Sequence, residues 1–99
     1  LIFDEVDAGI GGAVADTVGR LLKRLGQDRQ VLAVTHLPQV AAHGDQHFVV
    51  LKESDDSGRP VSRLRQLDRK TRVEEIARML GGQAITETTR KHAREMLAS

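Results

Sequence analysis

Two adjacent carboxylates near the start of the chain offer the clearest chemistry in the sequence. Asp4 and Glu5 directly follow the three bulky apolar residues at positions 1–3. An apolar run without polar alternation is typical of a strand that is buried on both faces. Such strands present ligand-binding groups at their carboxyl ends, so paired acidic side chains there indicate a bound cation or an activated water. The competing interpretation is a strand that runs into an acidic turn.

A histidine stands at the equivalent place after the next apolar run. Residues 30–35 are rich in β-branched side chains and lead into His36. Between the two runs, residues 13–25 carry apolar side chains at helical spacing, which completes a strand, helix, strand unit. Because such a crossover lays the two strands parallel, their carboxyl ends emerge at one edge of the sheet. Asp4, Glu5 and His36 are therefore expected to converge at that edge.

A glycine-dense loop follows the two carboxylates. It covers residues 6–12 and contains Asp7 together with glycines at positions 9, 11 and 12. Its backbone can approach a ligand closely, although the glycine spacing matches neither standard phosphate-binding pattern. The carboxylates of Asp4, Glu5 and Asp7 would repel a phosphate unless a cation stood between them. We therefore interpret the loop as the metal and water side of a nucleotide site.

The middle of the sequence predicts a short helix and a β-hairpin. Residues 37–42 are typical of a short helix with Pro38 in its first turn. Residues 47–53 and 60–67 are apolar and β-branched enough to predict two strands joined by a turn at 55–58. With the parallel strands and their crossover helix, this β-hairpin gives an α/β fold.

Two C-terminal helices are predicted as packing elements. The segment from Thr71 to Glu74 has the pattern of a capping box, and the apolar stripe that follows it ends at Gly81 and Gly82. Thr86 is expected to cap the last helix. The sequence therefore predicts that the chain ends in a pair of amphipathic helices.

Other charged and titratable side chains are expected to lie at the surface. The basic residues between positions 20 and 24 are interpreted as a solvated helix face. His43 and His47 stand four positions apart, but Gly44 interrupts any helix that would align them on a metal. We therefore predict both histidines to be surface residues.

Composition excludes several classes of protein. The chain has 99 residues, which limits it to one small domain at most, and a net charge of +1 does not fit a protein that coats nucleic acid. No cysteine is present, so a disulfide framework and a thiolate zinc site are excluded, which fits a reducing cytosol. No long apolar run or signal peptide is present, so no membrane partner is expected. The chain has no initiator methionine and opens inside an expected central strand, so we interpret it as a fragment.

The order of these motifs resembles a known class of ATPases. An apolar run ending in Asp4-Glu5, then a loop, a helix, a second strand and Thr35-His36, resembles the Walker B motif and switch histidine of ABC-type ATPases. The segment Asp4-Glu5-Val6-Asp7 resembles the SMC-like branch. With residues 34–41 and 75–82 it is similar to the RecN family of bacterial DNA repair proteins. The resemblance implies that residues 1–99 form the C-terminal lobe of a P-loop ATPase head.

The resemblance also implies roles for single residues. Asp4 would be the Walker B aspartate that helps to hold Mg²⁺, and Glu5 would orient and polarise the attacking water. His36 would contact the γ-phosphate of ATP. The D-loop that reaches across a dimer interface would comprise Asp7, Ala8, Gly9, Ile10, Gly11 and Gly12. Phosphoryl transfer needs metal, an in-line water and donors on the transferred oxygens, so these residue types suit the reaction.

The sequence departs from the family pattern at two points. Most ABC proteins carry a D-loop aspartate six residues after the catalytic glutamate, and here that position is Gly11. The sequence also contains no Gly-x-x-x-x-Gly-Lys-Ser/Thr phosphate loop. In SMC-like proteins that loop lies far upstream, beyond a long coiled coil. The resemblance therefore implies that this lobe is incomplete, and that residues 1–99 alone neither bind ATP tightly nor hydrolyse it.

The function implied by the resemblance is Mg²⁺-dependent ATP hydrolysis at a head-to-head dimer interface, in DNA double-strand-break repair and recombination. The implied partners are the N-terminal half of the same head, a second head, and DNA that is double-stranded or presents ends. The implied location is the cytoplasm, in association with the nucleoid. Two alternatives stay open: a structural or dimerisation module of a DNA-organising complex that does not hydrolyse ATP, and a self-contained metal-dependent phosphohydrolase.

Overall fold

The computed structural model describes residues 1–4, 11–81 and 84–99. Within these residues the elements, in chain order, are β1 (Ile2–Asp4), α1 (Gly12–Leu25), β2 (Leu32–Val34), α2 (Pro38–Ala41), β3 (Phe48–Ser54), β4 (Pro60–Gln66), α3 (Arg69–Gly81) and α4 (Glu87–Ala98). The described strands form two separate two-stranded sheets, one of β1 and β2 and the other of β3 and β4. In the part of the chain described, we find no helix that is long and apolar enough to cross a membrane.

The first sheet is the parallel pair that the sequence predicts. Ile2 pairs with Leu32, and Asp4 pairs with Val34. Both strands are short, and α1 forms the crossover between them. The parallel register is confirmed, so both strands end at the same edge.

The prediction that the first strand is buried on both faces is wrong for this chain. Ile2 is 75% exposed, and on the neighbouring strand Leu32 and Val34 are 53% and 50% exposed. Phe3 and Ala33, which point to the other face, are half-buried. Within the described residues, one face of this sheet therefore keeps its apolar side chains open to solvent.

The helices α1 and α2 pack closely because small residues lie between them. A Cβ on Gly19 would lie 2.5 Å from His43 Cδ2 and 2.9 Å from the Gln39 carbonyl oxygen. Ala15 is fully buried, and Val40 is 4% exposed. Only a glycine fits at position 19 without displacing α2 or the histidine ring.

The second sheet is the predicted antiparallel hairpin. Phe48 pairs with Gln66, and Ser54 pairs with Pro60 next to the turn. Within the turn, the Asp55 carboxylate accepts hydrogen bonds from two backbone N–H groups, and Gly58 adopts the left-handed backbone with φ of 81°. One face of the hairpin carries large exposed apolar side chains, which are Phe48, Val50 and Leu64.

A hydrophobic core joins α3 and α4 to the segment after α2. Ile76, Ala77 and Ala93 are fully buried, and Ala42 is 6% exposed. Val73, Met79, Leu80, Ile85, Met96 and Leu97 pack against these residues. The Arg90 guanidinium donates to Glu74 at 2.7 Å and ties α4 to α3. Both predicted C-terminal helices are therefore packing elements.

The start of α3 differs from the sequence prediction. The helix begins at Arg69, so Thr71 lies inside its first turn and does not cap it. The capping residue is Asp68, whose carboxylate accepts from Thr71 N at 2.8 Å, while the Thr71 hydroxyl accepts from Asp68 N at 3.1 Å. Aspartate caps a helix as well as threonine does, and the reciprocal pair satisfies two N–H groups.

The other helix boundaries agree with the sequence more closely. The prediction that Thr86 caps α4 is confirmed, because its side chain accepts from Thr89 N. The helix α1 begins at Gly12, one residue before the predicted start, and Gly26 ends it. Gly81 is the last residue of α3, and Gly82, the second residue of the predicted stop, lies outside the described residues.

Candidate functional site

The carboxyl edge of the parallel sheet brings together two elements of the predicted site. Asp4 is the last residue of β1, and its register partner Val34 is the last residue of β2. Thr35 and His36 follow Val34 directly. Asp4 and His36 are both exposed. The predicted metal-holding carboxylate and the predicted phosphate-contacting imidazole thus belong to strand ends at one edge of the sheet.

A tight turn carries His36 from β2 into α2. The Thr35 hydroxyl accepts a hydrogen bond from Leu37 N at 3.0 Å, which closes the turn around His36. Leu37 precedes the helix in an extended conformation, and Pro38 is its first residue. Proline suits this position because its fixed φ is helical and its missing N–H costs no hydrogen bond. His36 is thereby placed between a strand end and a helix start.

Most of the predicted loop lies outside the described residues. Glu5, Asp7, Ala8, Gly9 and Ile10 belong to this part of the chain, so their assigned roles stay predictions.

The end of the loop is described, and it lies against α2. Gly11 precedes α1 with an extended backbone, and its carbonyl accepts from Ala15 N at 2.9 Å. Gly12 opens the helix, and a Cβ placed on it would lie 3.5 Å from Gln39 Nε2. The last residues of the predicted D-loop therefore start a helix whose first turn adjoins the helix that follows His36.

A buried histidine on the segment after α2 pairs with a partly exposed aspartate on α1. His43 is only 5% exposed, and its Nε2 lies 2.8 Å from Asp16 Oδ1. The prediction that His43 is a surface residue is therefore wrong. Its ring lies against α1 at Gly19, where a side chain would have kept it out. The signal in the sequence was an acidic residue and a glycine three positions apart on one helix, which offer a partner and a space.

His47 also differs from its predicted surface position. The side chain is half-buried, and burial lowers the pKa of the His47 imidazole below its ordinary value. The nearby positive charge of Arg72 adds to this lowering. Among the residues described, no group of three or more His, Cys, Asp or Glu side chains could hold a metal ion.

Two ion pairs involve charged side chains of α1. The hydrogen bond to His43, and after it the bond from Arg20 at 3.0 Å, hold the pKa of Asp16 below its ordinary value. Lys23 Nζ lies 3.6 Å from the Asp45 carboxylate, just beyond His43 in sequence. Arg20 and Lys23 are both exposed, as the predicted solvated face requires. Two contacts, Asp16 with His43 and Lys23 with Asp45, thus link α1 to the segment after α2.

The sequence of the chain is similar to those of several bacterial proteins. No family model matches the chain. Proteins named "DNA repair protein RecN" match nearly all of it: 50% identity over 98% of the chain for Vibrio cholerae serotype O1, 54% over 99% for Deinococcus radiodurans and 43% over 98% for Bacillus subtilis strain 168. The chain spans 17% of the length of each of these relatives. The resemblance to RecN is confirmed, and the matches fit a C-terminal fragment of that protein.

A solved structure shares the fold. It comes from work on the "Structural biochemistry of ATP-driven dimerization and DNA stimulated activation of SMC ATPases", and it aligns with a TM-score of 0.67 at 23% identity. The alignment covers 85% of this chain and 49% of the other. The predicted fold class is confirmed: the chain has an α/β fold that it shares with this structure, with a parallel strand pair, an antiparallel hairpin and C-terminal helices.

Proposed function

We propose that this RecN-like chain is the C-terminal lobe of an SMC-like ATPase head, covering residues 1–99, and that the complete protein hydrolyses ATP at a head-to-head dimer interface during DNA double-strand-break repair and recombination. The observation that carries the proposal is the parallel register of β1 and β2, which gives Asp4 and the turn bearing His36 a common edge. The RecN relatives support the repair role, and the SMC fold supports the ATPase class.

In the proposed reaction two side chains of this lobe, Glu5 and His36, have separate tasks. Glu5 accepts a proton from the water as the water oxygen forms its bond to the γ-phosphorus. The bond from that phosphorus to the β,γ-bridging oxygen breaks, and ADP leaves with the electron pair. His36 donates to an oxygen of the transferred phosphoryl group, where negative charge must be stabilised. The loop of residues 7–12 extends toward the second head.

Asp4 is the side chain of this lobe proposed to help hold Mg²⁺. It fits that task because its carboxylate is exposed at the sheet edge, and carboxylate oxygens are the ligand type that Mg²⁺ prefers. When bound, Mg²⁺ neutralises charge on the phosphate oxygens. Asp4 would act through a water of the ion, because Mg²⁺ keeps several waters in sites of this kind.

The proposal includes the partners that the lobe requires. The N-terminal half of the same head supplies the phosphate loop and its lysine, and a second head completes the interface. DNA, double-stranded or with exposed ends, is the nucleic acid on which the protein acts. The proposed location is cytoplasmic and nucleoid-associated.

The decisive test substitutes Glu5 in the full-length protein. Glu5→Gln keeps the size of the side chain and one acceptor oxygen but removes its basicity. Hydrolysis should fall by roughly 100-fold or more, because a positioned general base contributes about that much. ATP binding should persist, and ATP-bound head dimers should accumulate, as size-exclusion chromatography with light scattering can measure.

Three further outcomes test the proposal and separate it from its alternatives. Unchanged single-turnover hydrolysis in Glu5→Gln would remove Glu5 from the mechanism. A parent protein that binds ATP and dimerises without turnover would identify a structural module. Calorimetric titration of ATP into residues 1–99 alone should show no tight binding, whereas stoichiometric Mg²⁺-dependent binding would favour a self-contained phosphohydrolase.

A further inference from the structure

A hydrogen bond between Asp16 and His43 joins α1 to the segment that follows α2. The helix α1 starts at Gly12, where the predicted D-loop ends, and α2 starts at Pro38, two residues after His36. Asp16 lies in the second turn of α1, and His43 lies two residues beyond α2. The pair therefore connects the helix that follows the predicted D-loop to the segment that follows the turn carrying His36.

We propose that Asp16 and His43 are positioning residues that fix the end of the D-loop relative to the turn carrying His36. This inference rests on the proposed ATPase function and assigns that site two residues that touch neither nucleotide nor metal. The pair acts by holding α1 and α2 in one arrangement, so that a shift of either segment moves the other.

The geometry around the pair leaves little freedom for the helices to slide. The His43 ring is almost fully enclosed, and its Nε2 lies 2.8 Å from the Asp16 carboxylate. The ring also occupies the space beside Gly19 where a side chain would otherwise stand. Packed interfaces of this kind have discrete arrangements and do not deform continuously. A local change at one predicted loop is therefore transmitted to the other as a rigid shift.

The start of each helix shows that the link reaches the site. Gly12 adjoins the side chain of Gln39, which belongs to the first turn of α2. The Thr35 hydroxyl closes the turn that leads from β2 into the same helix. Asp16 and Gly12 are four positions apart and thus one turn apart on α1. The Asp16 end of the pair therefore lies one helical turn from the place where Gly12 adjoins Gln39.

The test uses the full-length protein with four variants. Asp16→Leu removes the acceptor, whereas Asp16→Asn keeps a side-chain oxygen that can accept from His43. His43→Leu removes the donor, and Arg20→Gln removes the other partner of Asp16 as a matched control. The measurements are kcat, KM and the equilibrium affinity for ATP, with circular dichroism for folding.

We expect Asp16→Leu and His43→Leu each to lower kcat by roughly 10- to 100-fold, as small misplacements of reacting groups do. ATP affinity should stay within about threefold, because the pair touches neither predicted phosphate-binding group nor the phosphate loop. Asp16→Asn should restore most of the activity. Arg20→Gln should change kcat by less than about twofold, since exposed ion pairs contribute little.

The outcomes separate this inference from the proposed function. A parent protein without ATP hydrolysis would refute the ATPase proposal, and this inference would fall with it. Suppose that the parent hydrolyses ATP and that Glu5→Gln abolishes turnover. If Asp16→Leu then leaves kcat unchanged, only the positioning role is wrong. Equal loss of kcat, ATP binding and folded signal in Asp16→Leu and His43→Leu would show that the pair merely stabilises the fold, which also overturns the inference.

Discussion

The helices α3 and α4 bury apolar side chains completely, whereas the strands β1 and β2 leave apolar side chains exposed. The helices enclose Ile76, Ala77 and Ala93 completely. The strands leave Ile2 and Leu32 more than half exposed on one face of their sheet. Apolar side chains are present in both regions, so the difference comes from what covers them within this chain.

The buried core and the predicted site residues lie in different parts of the molecule. The region with a closed core carries none of the predicted site residues, whereas Asp4 and His36 belong to the sheet with an open face. Among the described residues of that sheet, Ile2, Leu32 and Val34 each keep half or more of their surface exposed. The C-terminal helices thus contribute the closed core, and the strands present an apolar surface that is open to solvent.

The largest expected effect comes from the closed core. Ile76→Ala should lower the free energy of unfolding by about 2–5 kcal/mol, because it removes a fully buried side chain and leaves a cavity. Urea denaturation followed by circular dichroism measures the change. Leu64→Ala is the matched control, since Leu64 is 72% exposed on the hairpin. Equal loss of stability in both variants would contradict the assignment of the core to α3 and α4.

A smaller effect is expected at the start of α3. Asp68→Ala should lower the urea midpoint by less than Ile76→Ala does, because only the cap of α3 is lost. Hydrogen bonds from the Thr71 side chain, and then from its backbone, hold the pKa of Asp68 below its ordinary value of 3.8. A depressed carboxylate pKa stabilises the fold above the unfolded value, and that contribution is lost as pH falls through the folded value.

The pH dependence distinguishes this cap from ordinary packing. The difference in stability between the parent and Asp68→Ala should be constant near pH 7 and should shrink below about pH 4, near the reference pKa of an aspartate. Urea midpoints at pH 7, 5 and 3 measure it. A difference that stayed the same at pH 3 would show that the Asp68 carboxylate does not act as a charged cap.

The smallest effect on this chain is expected on the open sheet face. Leu32→Thr should change the stability of residues 1–99 by no more than about 0.5 kcal/mol, because Leu32 is exposed and threonine suits a strand. The same substitution should weaken association with the co-expressed N-terminal half of the head. Co-purification yield and thermal unfolding measure the two effects. A variant that associates as well as the parent would show that this face is not the joining surface.

The sequence predicted the parts of the fold that local patterns determine. The hairpin follows from β-branched residues around Asp55 to Gly58, and the parallel pair follows from the handedness of a crossover. The start of α3 was misplaced because Asp68 and Thr71 are both good capping residues, and only their mutual hydrogen bonds decide which one precedes the helix.

Tertiary packing explains the features that the sequence did not predict. His43 is enclosed because Gly19 and Asp16 on another helix receive its ring. The exposure of Ile2 could not be read from its neighbours, because an apolar run is the same whether or not a further layer covers it. In the candidate site, the common edge of Asp4 and the His36 turn was predictable from topology, whereas the link between α1 and α2 behind it was not.

The separation of paired residues along the chain has a consequence for the order of folding. Ser54 and Pro60 of the hairpin are six positions apart, whereas Ile2 and Leu32 of the parallel pair are 30 positions apart. Closing the longer loop costs more chain entropy before any contact compensates, so the hairpin and the α3–α4 pair should form early and the parallel pair late. Isolated hairpins form in about 1–10 μs, which sets the early timescale. The parallel sheet would then be the last to assemble, and its apolar strands would stay open to aggregation for the longest time.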